Sequence, residues 1–299
     1  MKLKRSSIFI FSIIVILLFV FCKTNNNEIS IEERLIQAKN NILNLDSYNS
    51  DMGINFNAFI TNKDEKLFMD FQGAIIRETF LQPDLKIKGN INLNLESNDA
   101  EDSVKKDFYV SKDNDKYLFY FYDDNNWYNF PIVYSEVFKY DELKDMLDTI
   151  DKIEDLKEIG KELFDEKEVT IIEGFIGTEK FKDNVNKIIP IFNIKSNKYI
   201  EKIFDDIGKQ KITIWLDNNN YPIKYNIDLS DLVNNFFDNI IALSEKLDLE
   251  LFNSEFSNLG IFDIDFKAEE LSFYNEITNI NNVEDFELPQ TINWIFLLI

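Results

Sequence analysis

The 299-residue chain carries 54 acidic against 32 basic side chains, for a formal charge of -22, with no histidine, one cysteine, eight glycines and 28 phenylalanines. That charge repels nucleic-acid phosphates and anionic lipid headgroups, so no nucleic acid is expected as a partner. Without histidine the commonest general base and metal ligand is missing, a single thiol excludes an internal disulfide framework, and no glycine-rich phosphate loop is present; no metal, cofactor or enzymatic activity is expected.

The chain opens with Lys2, Lys4 and Arg5, then runs uncharged from Ser6 to Phe21 in Ile, Phe, Leu and Val, and stops at Cys22 before the polar Lys23-Thr24-Asn25-Asn26-Asn27. A basic segment followed by an apolar one shorter than the ~20 residues of a spanning helix is the composition of an export signal. Together these residues resemble the bacterial lipoprotein signal, in which cleavage precedes a cysteine that is then acylated, for example with palmitate. The resemblance implies a signal peptide at 1–21, lipidation at Cys22 and a flexible tether at 22–29. Phe21 departs from the small residue usual at that place. The implied location is outside the cytoplasm, lipid-anchored to a bacterial membrane of the cell envelope.

From Ser30 the apolar positions Ile31, Leu35, Ala38, Ile42 and Leu45 fall near helical spacing, with Glu33 placed as a capping-box partner. At Met52 the period becomes two, through Ile54, Phe56, Ala58 and Ile60, then Met69, Phe71, Gly73 and Ile75. It is cleanest at Leu85, Ile87, Gly89, Ile91, Leu93 and Leu95. Such alternation fits strands with one wet and one dry face. Strands around Phe108–Val110, Lys116–Tyr122 and Trp127–Phe130 complete a meander, and Leu143, Met146, Leu147, Ile150, Ile153, Leu156 and Leu163 form one helical stripe. Val169–Ile176 reads as a strand, Lys180–Ile189 and Ser196–Ile207 as helices broken at Pro190. Ile212, Ile214 and Leu216 then alternate into Asp217-Asn218-Asn219-Asn220, with Tyr221, Ile223, Tyr225 and Ile227 alternating out, as in a hairpin. A helix over Asp231–Leu243 and strands over Leu247–Phe256 and Phe262–Ile277 close the body. No Pro/Gly-rich linker divides it, so residues 30–299 read as one α+β domain.

The hairpin with Trp215-Leu216-Asp217 and Pro222-Ile223-Lys224, and the ending with Val283, Phe286, Leu288 and Pro289, are similar to uncharacterised bacterial lipoproteins related to the LolA/LppX group. The resemblance implies a curved antiparallel unclosed β-barrel with helices covering the concave face, and a cavity that in better-known members carries lipid. Met69, Phe71, Ile87, Ile91, Leu93, Met146, Ile150, Ile214, Ile223 and Tyr225 are the expected cavity lining, with Ile87, Ile91 and Leu93 facing Met146 and Ile150 across it. The expected function is a membrane-anchored lipoprotein that binds a lipid or other hydrophobic ligand. The alternative is a structural or host-contact surface lipoprotein with a filled core and no small-molecule ligand.

Two further patterns invite chemistry. Asp113, Asp115, Asp123, Asp124 and Asp217 sit in polar loops that could offer oxygen ligands to calcium, but none has EF-hand spacing, and turn formation is the favoured reading. The run Tyr117-Leu118-Phe119-Tyr120-Phe121-Tyr122, with Trp127 and Tyr128, is apolar on both faces. A strand buried on both sides is favoured; a sugar-stacking platform or a partner-binding patch is the alternative.

Overall fold

The computed structural model describes residues 29–62, 65–82, 84–113, 116–123, 125–132, 142–177, 207–246 and 264–293. Cys22 and its leader, the helices expected between Lys180 and Asp206, the strand expected at Leu247–Phe256 and the end Trp294–Ile299 lie outside the described residues.

Helix α1 (Ile31–Leu43) starts where Ser30 Oγ accepts the Glu33 amide, and it buries Leu35, Ala38 and Ile42 at the expected spacing. Six strands follow as a meander: β1 (Ser47–Asn62), β2 (Glu65–Phe80), β3 (Lys86–Ser97), β4 (Glu101–Asp113), β5 (Lys116–Asp123) and β6 (Asn126–Ile132). Helix α2 (Glu142–Ile150) precedes β7 (Ile153–Phe164), β8 (Lys167–Ile176), β9 (Gln210–Leu216) and β10 (Pro222–Asp228). Helix α3 (Ser230–Lys246), the long β11 (Ile264–Thr278) and the two-residue β12 (Ile292–Asn293) complete the described chain. The strands form one open 12-stranded sheet in the order β12-β6-β5-β4-β3-β2-β1-β11-β10-β9-β8-β7. Its pairings are antiparallel except the short β12–β6 pair, which is parallel. Bulges in β11 against β1, in β7 and at Pro222/Lys224 bend the sheet.

One stretch departs from its sequence pattern. The helical stripe expected through Leu163 ends at Ile150, and Ile153–Phe164 is an edge strand instead. Asp155 has φ 55 and Gly160 φ 157, both incompatible with a right-handed helix. Asp165 (φ 47) and Glu166 (φ 64) then turn the chain back into β8, whose alternating Thr170, Ile172, Gly174 and Ile176 are buried. Pairing with that strand overrides the helical propensity of a Glu- and Lys-rich segment.

The main core lies between α1, α2 and one face of the sheet, where Leu35, Ala38, Ile42, Tyr48, Met146, Ile150, Ile172, Ile212, Ile214 and Tyr225 pack together. On the same face α3 lies against β11. Asn234 bonds the Ala268 carbonyl (3.0 Å) and amide (2.8 Å), and Phe237 stacks on Phe266 at 3.9 Å. The chain after β11 straps the opposite, polar face. Asn281 N donates to Ser47 O (2.7 Å), Val283 N to Ser47 Oγ (3.1 Å), and Asn129 Nδ2 to Thr291 Oγ1 (2.9 Å). Lys86 Nζ also bonds Asp285 at 2.6 Å and holds that carboxyl below its usual pKa.

Candidate functional site

Strand register decides which side chains share a surface. Across β1, β2 and β3, Met52 pairs with Ile75 and Ile75 with Ile91; Phe71 pairs with Leu95, and Gly73 with Leu93. Leu93 then pairs with Val104, Ile87 with Val110, Val110 with Phe119, and Phe119 with Phe130. Directly paired residues point to the same side of a sheet, so these positions form one apolar face. It runs from β1 to β6 and is interrupted by Asp102, opposite Leu95, and Lys106, opposite Ile91. The face is continuous with the helix-bearing one, because Tyr225 pairs with Asn275 and Asn275 with Met52.

Among the described residues, the helices of the main core cover only one part of this face. Toward β6, Leu67, Leu93, Leu95, Val104 and Phe130 keep 37–44% of their surface exposed. A second small cluster of Ile87, Phe108 and Val110, with Ile75, Ile91 and Phe119 against it, forms its floor. Phe119 sits between Phe108 at 5.8 Å and Phe130 at 5.5 Å. Arg77 also lies here, opposite Ser50, its Nε donating to Ser50 Oγ at 3.4 Å; burial lowers its hold on its proton, and Tyr48 and Tyr225 oppose that shift.

The residues expected to line a cavity divide three ways. Met146, Ile150, Ile214 and Tyr225 are packed into the main core. Ile87 and Ile91 belong to the second cluster, with Met69 and Phe71 half-buried and Leu93 exposed on the same apolar face. The two groups expected to face one another thus sit in different clusters. Ile223 lies at the bulge of β10 and lines a separate mixed cleft of about 320 Å³ at the turn end of the sheet, with Phe164, Lys167, Asp217 and Asn281. Several members of the apolar face escaped the sequence reading. Val104 was hidden because Glu101, Asp102, Lys105 and Lys106 surround it, whereas Leu95, Phe119 and Phe130 stood in recognised alternating or aromatic runs.

Asp217 acts as a turn former: its Oδ1 accepts the Asn219 (2.9 Å) and Tyr221 (2.8 Å) amides. Among the described residues no group of three or more His, Cys, Asp or Glu could hold a metal ion, and no helix is long and apolar enough to cross a membrane. The aromatic run is not uniformly buried. Tyr120 is buried, its hydroxyl 3.3 Å from Ser111 Oγ, but Tyr122 is 40% exposed. On the polar face the extended strap lies beside this run, bringing Phe286 to 6.1 Å from Tyr109, the direct partner of Tyr120.

No family model matches the chain, and no curated protein does. Among solved structures, the chain is similar to the Mycobacterium tuberculosis lipoprotein LppX, with 12% identity over 86% of this chain and 97% of that one and a TM-score of 0.39. LprF from Mycobacterium bovis shows 12% identity over 87% and 95%, with a TM-score of 0.43. The Pseudomonas aeruginosa MucA/MucB complex shows 9% identity over 66% and 50%, with a TM-score of 0.25. At these scores the architecture rests on the strand order of this chain itself.

Proposed function

We propose that the protein is an exported lipoprotein, tethered to a bacterial membrane through acylated Cys22, that holds a lipid or other hydrophobic molecule against the apolar face of β2 to β6. The observation that supports this reading is the group of Leu93, Leu95 and Val104, neighbours on β3 and β4, with Leu67 and Phe130 elsewhere on the same face, each left 37–44% exposed. Monomeric proteins seldom leave large apolar side chains grouped in this way without a use for them. Covering them with an acyl chain releases about 25 cal/mol for each Å² of apolar surface removed from water. Binding is the role that a surface of exposed aliphatic and aromatic side chains supports.

A second reading, a structural or host-contact surface lipoprotein without a small-molecule ligand, is favoured by the packing of Met146, Ile150, Ile214 and Tyr225, which fill the helix-covered part of the face. The two readings separate in one experiment. Native mass spectrometry of protein purified without detergent, with titration of a fluorescent fatty acid, is expected to show a co-purifying lipid and saturable binding. The double substitution Leu93→Glu with Leu95→Glu is expected to abolish both while leaving the melting temperature close to wild type, because the two side chains are already half in water. No lipid and no fatty-acid binding by the wild type would leave the ligand-free reading.

A further inference from the structure

The polar face carries a second site, independent of the apolar one. Register places Lys88 beside Glu78 and Tyr109, and Asn90 beside Asp107, so that three neighbouring strands bring these groups together. They form a cleft of about 200 Å³ lined by Glu78, Lys88, Asn90, Asp107, Tyr109 and Trp127. Its aromatic wall is prearranged: Trp127 meets Tyr109 edge to face at 5.1 Å, and Tyr122 lies 5.3 Å from Trp127. Its polar groups differ in how far they are already engaged. Lys88 Nζ bonds Glu78 at 3.1 Å, and Asn90 Oδ1 accepts from Asn92 at 2.7 Å. Among the described residues no hydrogen bond or ion pair engages the exposed carboxylate of Asp107.

We propose that this cleft binds a neutral saccharide. A sugar ring offers an apolar C–H face and a rim of hydroxyls. An indole or phenol ring packs against the first, while a carboxylate and an amide accept from and donate to the second. Trp127 and Tyr109 supply the rings, Asp107 and Asn90 the planar polar groups, and the mutually neutralised Lys88–Glu78 pair a donor and an acceptor without net charge. Acidic ligands are disfavoured by Asp107 and by a chain of formal charge -22. A cationic peptide is the competing occupant, and it differs in that its binding weakens steeply with salt.

The test is an array of neutral, acidic and basic ligands probed with the whole chain, followed by calorimetry on any hit at low and high salt. Binding of neutral oligosaccharides is expected, insensitive to salt and weakened at least tenfold by Asp107→Ala and by Trp127→Ala. Asp107→Ala, at an exposed position, is expected to melt with the wild type, so its loss of binding reports the site and not the fold. No neutral glycan bound, a neutral glycan bound equally by both variants, or salt-sensitive binding of cationic peptides alone would overturn the proposal.

Discussion

Asp51 lies on the polar face opposite Glu276, which itself stands opposite Lys224. Burial raises the Asp51 pKa; a hydrogen bond from the Tyr274 hydroxyl (3.3 Å) works against this, the Glu276 charge adds to it, and Lys224 opposes it. A carboxyl whose native pKa is raised favours the folded state when protonated. That contribution is complete below the ordinary carboxylate pKa, about 4, and is lost as pH rises through the native value. Asp51→Asn keeps an acceptor for Tyr274 and removes the charge, so it is expected to raise the melting temperature at pH 7. The gain should vanish as pH falls below about 4, which thermal melts of both proteins across pH will show. Lys224 illustrates the limit of alternation at the same scale. Set between the alternating Ile223 and Tyr225, it falls on the polar side, yet it is half-buried, paired with Glu276 and 5.7 Å from the Phe164 ring and 5.5 Å from that of Trp215. Alternation gives the side of the sheet, not what neighbouring strands place there.

The least regular element is β7, an edge strand of charged residues with two breaks of register against β8. Bulges and charges at an edge discourage pairing with another chain, and the strand holds its place through close contact rather than burial. Gly174 on β8 makes that contact possible. A Cβ there would fall 2.3 Å from Ile153 Cγ2 and 3.1 Å from the Glu154 carbonyl oxygen. Gly174→Ala is therefore expected to push β7 outward and cost on the order of 1–3 kcal/mol, as overpacking does. Hydrogen exchange should locate the damage in Ile153–Phe164, with β1 and β2 unchanged; uniform loss of protection would mean that β7 is integral to the whole fold. Gly89 plays a related part in β3, where its missing Cβ leaves room for the Phe108 ring and the Ile76 carbonyl. In sequence both glycines look like gaps in a strand, and only their neighbours show why no side chain fits.

At the scale of the whole molecule, a polar face and an apolar face back onto one another across a single sheet, with helices over part of the apolar one. Such a body needs no membrane-spanning segment of its own if Cys22 is acylated. Cys22→Ser is expected to move the protein from the detergent phase to the aqueous phase on phase separation and to abolish incorporation of labelled palmitate. Equal partitioning of wild type and variant would remove the anchor from the account. It would leave the apolar face, and the fatty-acid titration that tests it, standing.

The sequence by itself determined the parts that depend on near neighbours. These are the Ser30 cap and buried stripe of α1, the alternation of β1 to β3, the Asp217–Asn220 turn and α3 after Ser230. Side-chain period and turn chemistry are local properties, and they survive folding unless a partner strand overrules them. Only the tertiary structure decided that Leu163 ends a strand and not a helix, because the hydrogen bonds of β8 outweighed the local preference of β7. It alone separated Met146 and Ile150 from Ile91 and Leu93, and brought Asp107 to Trp127. Which residues meet across a sheet depends on register and strand order, and these are fixed by contacts between segments far apart in the chain.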